Sequence, residues 1–192
     1  MEAEMSKIAL SPNASGSAVF TIAAPNTSTD RTLTLPDNTG TIITTGSTFA
    51  GTGPAFSAYQ GTSQTLTSTV YTKIALNTER FDTNSNFDST TNYRFTPTVE
   101  GYYQINYGVY GTTTSTTTNF VGALYKNGSV YEYNAVNNFS GNQAYIGSTL
   151  VYMNGSTDYL ELYLQLQGTG TLAATAASGT TNFMSGFLAR AA

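Results

Sequence analysis

The chemistry open to this chain rests on its eleven Asp and Glu residues, because it has no histidine and no cysteine. Without histidine it lacks the usual general base and the commonest transition-metal ligand. Without cysteine it has no thiol nucleophile, thiolate metal site or disulfide framework. Two carboxylates facing one cleft would still suffice to cleave a glycoside. The acids from residue 55 onward are Glu79, Asp82, Asp88, Glu100, Glu132, Asp158 and Glu161. Of these, Glu132 and Glu161 are the pair that strand pairing would make cross-strand neighbours, yet no pattern arranges a cleft around them. The serines have no histidine and no Gly-x-Ser-x-Gly elbow to activate them. An enzyme is not expected.

The run DTNSNFD, Asp82–Asp88, has the spacing that opens a calcium loop. The sixth place, which needs Gly, holds Phe87, and the twelfth, which needs Glu, holds Tyr93. Side chains of Asp and Asn that fold back on their own backbone explain the run better, so no metal and no cofactor are expected. The seven basic residues are scattered from Lys7 to Arg190, which gives no nucleic-acid footprint. No apolar run approaches the ~18 residues of a membrane-spanning helix. The start, MEAEMSKIAL, has acids where a secretory signal needs bases. What remains is binding, through a surface rich in Thr, Asn, Ser, Gly and Tyr.

The elements that must carry such a surface are strands. Residues 1–50 form an attachment segment, with a short helix expected over 2–10 and a Thr-rich β-like module over 16–46. That module has too few apolar residues to build a core alone, so Phe20, Ile22, Leu33, Leu35 and Ile42 must be buried against partner chains. Gly46–Pro54 reads as a linker, with the junction at 51–54. From Ala55 to Ala192 the chain is a succession of alternating strands: AFSAYQ, TVYTKIAL, YRFTP, YYQINYGVY, NFVGALYKN, VYEYNAV, AYIGSTLVYM, DYLELYLQL and NFMSGFLAR. Asn127–Gly128 and Asn154–Gly155 mark two hairpins. In Tyr102–Tyr110, Tyr103, Ile105, Tyr107 and Val109 share one face, predicted as core. Tyr102, Gln104, Asn106 and Tyr110 share the other, predicted as a subunit contact. Leu160, Leu162, Leu164 and Leu166 likewise form one face. Around ten strands in this length imply an all-β sandwich with a short extended N-terminal stem, and a ten-stranded jelly roll is a leading option.

Residues 80–110 resemble the signature of the complement component one-q globular-head family, relatives of the tumour-necrosis-factor fold. Asp88, Tyr93, Phe95, Gly101, Tyr103, Ile105 and Tyr107 occupy its places, with Ile105 where Phe is usual. AFSA near residue 55, LYKNG in the middle and FMSGFLAR at the end agree, so the resemblance covers roughly residues 55–192. It implies a homotrimer with both termini at its base. On that topology the two Asn-Gly turns also fall at the base, and three polar loops fall at the apex: 111–119, 137–143 and 168–181. Receptor-facing residues are expected there: Thr114, Thr117, Asn119, Asn137, Asn138, Phe139, Asn142, Tyr145, Thr171 and Thr175. Phe139 and Tyr145 are expected to stack on a sugar or press on a protein. Residues 31–44, RTLTLPDNTGTIIT, are similar to a short module of bacteriophage tail-fibre and other virion proteins.

Together these readings predict a virion protein, a phage fibre or tail-tip protein. Its trimeric head would bind a host-surface glycan or protein, and its stem would bind other virion proteins. It would be assembled in the host cytoplasm without a signal peptide and would neither bind nucleic acid nor insert into membranes. The alternative is a capsid decoration or head fibre that recognises nothing. A secreted lectin-like adhesin is a third reading, disfavoured by the missing signal.

Overall fold

The computed structural model describes residues 15–16, 28–30, 53–137, 141–177 and 181–192, apart from the side chains of 136 and 137. The chain divides into two compact units, 1–42 and 43–192, and nearly all the described residues belong to the second. The helix expected over 2–10 and the stem residues Phe20, Ile22, Leu33, Leu35 and Ile42 lie outside the described residues.

The described residues contain no helix and thirteen strands: β1 (Ala55–Tyr59), β2 (Gln64–Leu66), β3 (Thr72–Lys73), β4 (Thr78–Asp82), β5 (Phe87–Asp88), β6 (Arg94–Phe95), β7 (Glu100–Thr113), β8 (Thr117–Lys126), β9 (Ser129–Asn137), β10 (Gln143–Asn154), β11 (Leu160–Gly168), β12 (Leu172–Ala174) and β13 (Phe183–Ala191). The count exceeds ten because the stretch between β1 and β7 is cut into short pieces. Thr69, Ser85 and Tyr93 have φ of 66°, 53° and 50°, and each such left-handed residue turns the chain out of a ladder. The segment 69–76, expected as one strand, supplies only the two residues of β3.

The strands form two antiparallel sheets. Sheet A runs β10–β7–β13–β1–β4, with β12 pairing the far end of β7 and β2 pairing β12. Sheet B runs β5–β6–β11–β8–β9, with β3 also pairing β11. The chain changes sheet between β7 and β8, between β9 and β10, and between β10 and β11, which makes the sandwich a jelly roll.

Alternation decides what the sandwich encloses. Tyr103, Ile105, Tyr107 and Val109 of β7 are buried, as are all four leucines of β11. Each such side chain contributes roughly 1.5–3 kcal/mol. Phe56 stacks on Phe95 at 4.1 Å and on Phe87 at 5.3 Å, and Tyr103 meets the Phe95 ring edge-on at 5.5 Å. The buried tyrosine hydroxyls are satisfied. Tyr103 donates to the Val99 carbonyl at 2.7 Å and Tyr107 to Glu132 at 3.2 Å. Gly101 is fixed by the bulge between Leu188 and Arg190. A Cβ there would lie 2.3 Å from the Arg190 carbonyl oxygen.

One of the two Asn-Gly turns is a hairpin. Asn127 and Gly128 both have positive φ, 53° and 77°, the geometry of a type I′ turn, and β8 pairs with β9 across it. Asn154–Gly155 instead opens a crossing between sheets, since β10 pairs with β7 and β11 with β8. Asn154 Oδ1 accepts the amides of Ser156, Thr157 and Asp158, each at 3.0 Å. An Asx side chain, rather than cross-strand bonds, shapes that turn.

Candidate functional site

The base of the sandwich is bound tightly. Asn127 Nδ2 donates to Asp158 at 2.7 Å, the Tyr159 amide donates to Asn127 Oδ1 at 2.9 Å, and Lys126 forms an ion pair with Asp158 at 2.9 Å. Burial pushes the Asp158 carboxyl up, but the bonds from Asn127, Lys126 and the Asn154 amide outweigh it and leave its pKa below the usual carboxylate range. The ends of the head meet here too. The Leu188 amide donates to the Pro54 carbonyl at 3.0 Å, and the Ala192 amide to that of Glu100 at 3.4 Å.

The apex is stitched by hydroxyls. The Thr171 amide donates to Thr114 Oγ1 at 2.9 Å, and Thr169 Oγ1 to Ser115 Oγ at 3.2 Å. Thr112 and Thr175 share a bond of 2.6 Å. Beneath the last loop, Asn182 accepts the Tyr110 amide at 2.6 Å and donates to Gln60 at 2.7 Å. The structure thus brings Thr114, Thr171 and Thr175 together at the apex, with Thr114, Thr171 and Asn142 exposed. Three of the other expected receptor contacts are placed differently. Thr117 is only 2% exposed and donates to the Gly141 carbonyl at 3.4 Å, so it supports the loop instead of facing a ligand. Tyr145 points inward, packed on the core with its ring 6.0 Å from Tyr107, because Val109 opposite it in register is itself a core position. Asn119 lies within β8, and its Oδ1 is buried without a partner. Asn137 pairs with Asn119 through its backbone, its side chain being outside the described residues, as are Asn138 and Phe139.

The outer face of sheet A is apolar. Tyr102, Gln104, Asn106 and Tyr110 point away from the core here. Gln104 Nε2 donates to Ser148 Oγ at 2.9 Å, and Ser148 in turn donates to Asn106 at 2.8 Å. Around this polar row stand Ile146 (72% exposed), Leu150 (55%), Phe81 (51%), Phe187 (49%), Tyr102 (47%) and Tyr152 (38%). Tyr152 packs on Tyr102 at 5.5 Å and hydrogen-bonds Glu100 through its hydroxyl. Ile146, Leu150 and Phe187 were not among the expected contact residues. The signal for the first two was β10, which is apolar on both faces, Val151 and Met153 inward and Ile146 and Leu150 outward; Phe187 lies on β13. A strand buried on one side alone would alternate with polar residues.

The outer face of sheet B is tyrosine-rich and in part internally partnered, with Val130 and Tyr133 exposed beside the partnered groups. Tyr125 and Tyr163 stack at 3.9 Å with Tyr71 tilted beside Tyr125 at 6.1 Å, and Arg94 lies over Tyr159 at 4.4 Å. Lys73 pairs with the buried Glu161 at 2.9 Å. Burial, with Glu161 beside it, raises the Tyr163 pKa to about 12.

The carboxylates do not converge. Glu132 sits opposite the core residue Leu124 and bonds Tyr107 inside the sandwich, whereas Glu161 sits opposite Tyr125 on the outer face. The two expected neighbours are therefore on opposite faces of sheet B, placed so by the bulge at Leu124/Tyr125. Asp82 takes the amides of Asn84 and Phe87. Asp88 takes those of Thr91, Thr90 and Asn92, bonds that hold its carboxyl far below the usual range. These oxygens are engaged by the chain's own turns, and no cluster of three or more His, Cys, Asp or Glu occurs among the described residues.

No family model and no curated protein matches the sequence. Solved structures do match the fold. Eiger TNF from S. frugiperda superposes with a TM-score of 0.54 at 8% identity, over 73% of this chain and 93% of that one. The fold is a tumour-necrosis-factor-like jelly roll. Murine APRIL at pH 8.5 gives 0.49 at 8% identity, over 69% of this chain and 96% of the other. At such identity the tumour-necrosis-factor-like jelly roll is a likeness of fold alone.

Proposed function

We propose that the protein is a binding protein whose head assembles into a homotrimer through the outer face of sheet A. The observation that carries this is the gathering of six exposed large apolar side chains on that face, around a row of uncharged hydrogen-bonding groups. Patches of this kind mark interaction surfaces, and an uncharged centre rich in Tyr and Phe suits one. Contact between this face and a different surface of the next copy would close into a ring. The fold and the likeness of residues 80–110 to the complement component one-q signature favour three copies.

In this reading the trimer is the head of a phage fibre or tail-tip protein. Residues 1–50 attach it to the particle, and the apical loops bind a host-surface glycan or protein. The viral part of the reading draws its support from residues 31–44. Trimerisation multiplies weak contacts into avidity. Sedimentation of the full chain, followed by adsorption to candidate host cells and competition with infection, tests it. A trimer that adsorbs and competes is the expected result; a well-folded monomer would sink the assembly and the avidity with it. The second reading, a capsid decoration, is favoured by how many apical hydroxyls are engaged within the loops, and a trimer that adsorbs to no host cell would select it.

A further inference from the structure

Where β11 reaches the apex, a shallow cleft of about 460 Å3 opens between the Ser68–Thr69 turn and the segment around Thr116 and Thr118, with Gln167 and Thr169 between them. No charged and no aromatic side chain lines it. Several of its hydroxyl groups are already committed. Thr69 Oγ1 donates to the Ser68 carbonyl at 2.6 Å, Thr118 Oγ1 donates to the Gln167 carbonyl at 3.2 Å, and Ser68 Oγ accepts the Gly168 amide at 3.2 Å. A threonine hydroxyl whose proton is spent on a carbonyl still offers its lone pairs as acceptors. The exposed Gln167 side chain adds both a donor and an acceptor.

One wall of this cleft is strained. Thr69 has φ of 66°, a true outlier for a β-branched residue. It is held there by its amide on the Leu166 carbonyl at 2.8 Å and by Gln165 Nε2 on its own carbonyl at 2.7 Å. Strain that the surroundings over-determine in this way is characteristic of ligand-binding sites.

We propose that this cleft binds an uncharged, hydroxyl-rich ligand, a neutral saccharide. An acceptor-rich lining without charge suits a ligand that brings many O–H donors and no ionic group. The proposal deepens the recognition reading by naming a ligand class, and it adds Ser68, Thr69 and Gln167 to residues of the loops 111–119 and 168–181.

The test uses the full chain. Methyl glycosides of glucose, galactose, mannose and N-acetylglucosamine are titrated by saturation-transfer NMR, with inorganic phosphate and a sialylated trisaccharide as charged comparators. Saturable binding of at least one neutral glycoside, in preference to the charged probes, is expected. Gln167→Ala should weaken it roughly fivefold, the equivalent of one hydrogen bond. Thr69→Gly should weaken it while leaving the melting temperature unchanged or raised, since glycine adopts positive φ freely; a merely structural turn would not separate the two readouts. Asn134→Ala, exposed on β9 and outside both the cleft and the apical loops, should change nothing. No saturable binding of any neutral glycoside, preference for the charged probes, or full binding by both cleft variants would overturn the proposal. Adsorption to host cells distinguishes the failures: a chain that adsorbs but binds no glycoside defeats the cleft and spares the recognition reading, whereas one that never adsorbs defeats that reading.

Discussion

The two outer faces of the sandwich solve the same problem in opposite ways. Both carry large aromatic or aliphatic side chains on strands whose other side is core. On sheet B several of these groups are partnered within the chain, Tyr125 with Tyr163, Tyr159 with Arg94 and Glu161 with Lys73, while Val130 and Tyr133 stand exposed. On sheet A, Ile146, Leu150 and Phe187 stand in solvent around Gln104, Ser148 and Asn106. A tyrosine surface that completes many of its own contacts gains less from a neighbour. An aliphatic surface with only a thin polar seam gains by being covered. The contrast lies less in how apolar each face is than in whether its polar groups and rings already have company.

That contrast can be broken experimentally. The largest effect is expected from the pair Leu150→Asp and Phe187→Asp. Two carboxylates placed in a desolvated contact should weaken association on the order of 100-fold or more while circular dichroism keeps its β signature. Sedimentation that still shows a trimer would remove sheet A as the contact. On sheet B the expected effect is on folding. Lys73→Met leaves Glu161 buried beside an apolar chain and should cost about 1–2 kcal/mol in urea unfolding, discounted because Lys73 is partly exposed. Adding Glu161→Gln should recover much of that loss, and absence of such coupling would show the pair to be incidental. Arg94→Ala should cost less, about 0.5–1 kcal/mol, by uncovering the Tyr159 ring.

The smallest effect is one of pH. The carboxyls of Asp158 and Asp88 have lowered pKa values in the folded head. Their stabilisation is therefore present above the unfolded carboxylate value of ~4 and is lost as pH falls through the folded ones. Melting temperature should fall from pH 5 to pH 2, and Asp158→Asn should flatten that fall. The central rows of sheet A carry no carboxylate, so association should not change with pH until the fold itself gives way.

The parts legible in the sequence were those where one periodicity ruled. Tyr103 to Val109 and Leu160 to Leu166 had to face inward, and Asn127–Gly128 had to turn. Other features depended on contacts the sequence does not display. Thr69, Ser85 and Tyr93 take positive φ without being glycine, so nothing in the sequence announced that the stretch 60–99 breaks into five short strands. The bulge at Leu124/Tyr125 inserts one residue and sends Glu132 inward, which alternation counted from the turn alone could not show. Thr117 reads as a loop residue by composition, and Tyr145 as a strand residue just past the 137–143 loop that faces a ligand, yet Tyr145 packs on the core and Thr117 supports Gly141. The cleft at Ser68, Thr69 and Gln167 joins segments a hundred residues apart, and its lining is too ordinary in type to stand out.

The last strand lies in the middle of sheet A. β13 sits between β7 and β1 and supplies Phe187, so the pair β1–β4 joins the rest of sheet A only through β13. Pairings this distant close slowly, and much of the core waits on them. The same step shapes the outer face. Until β13 is inserted, Phe187 is missing from the apolar face, and Phe81 on β4 stays apart from Ile146 and Leu150 on β10. A head built this way completes its apolar face in the same step that joins the two parts of sheet A.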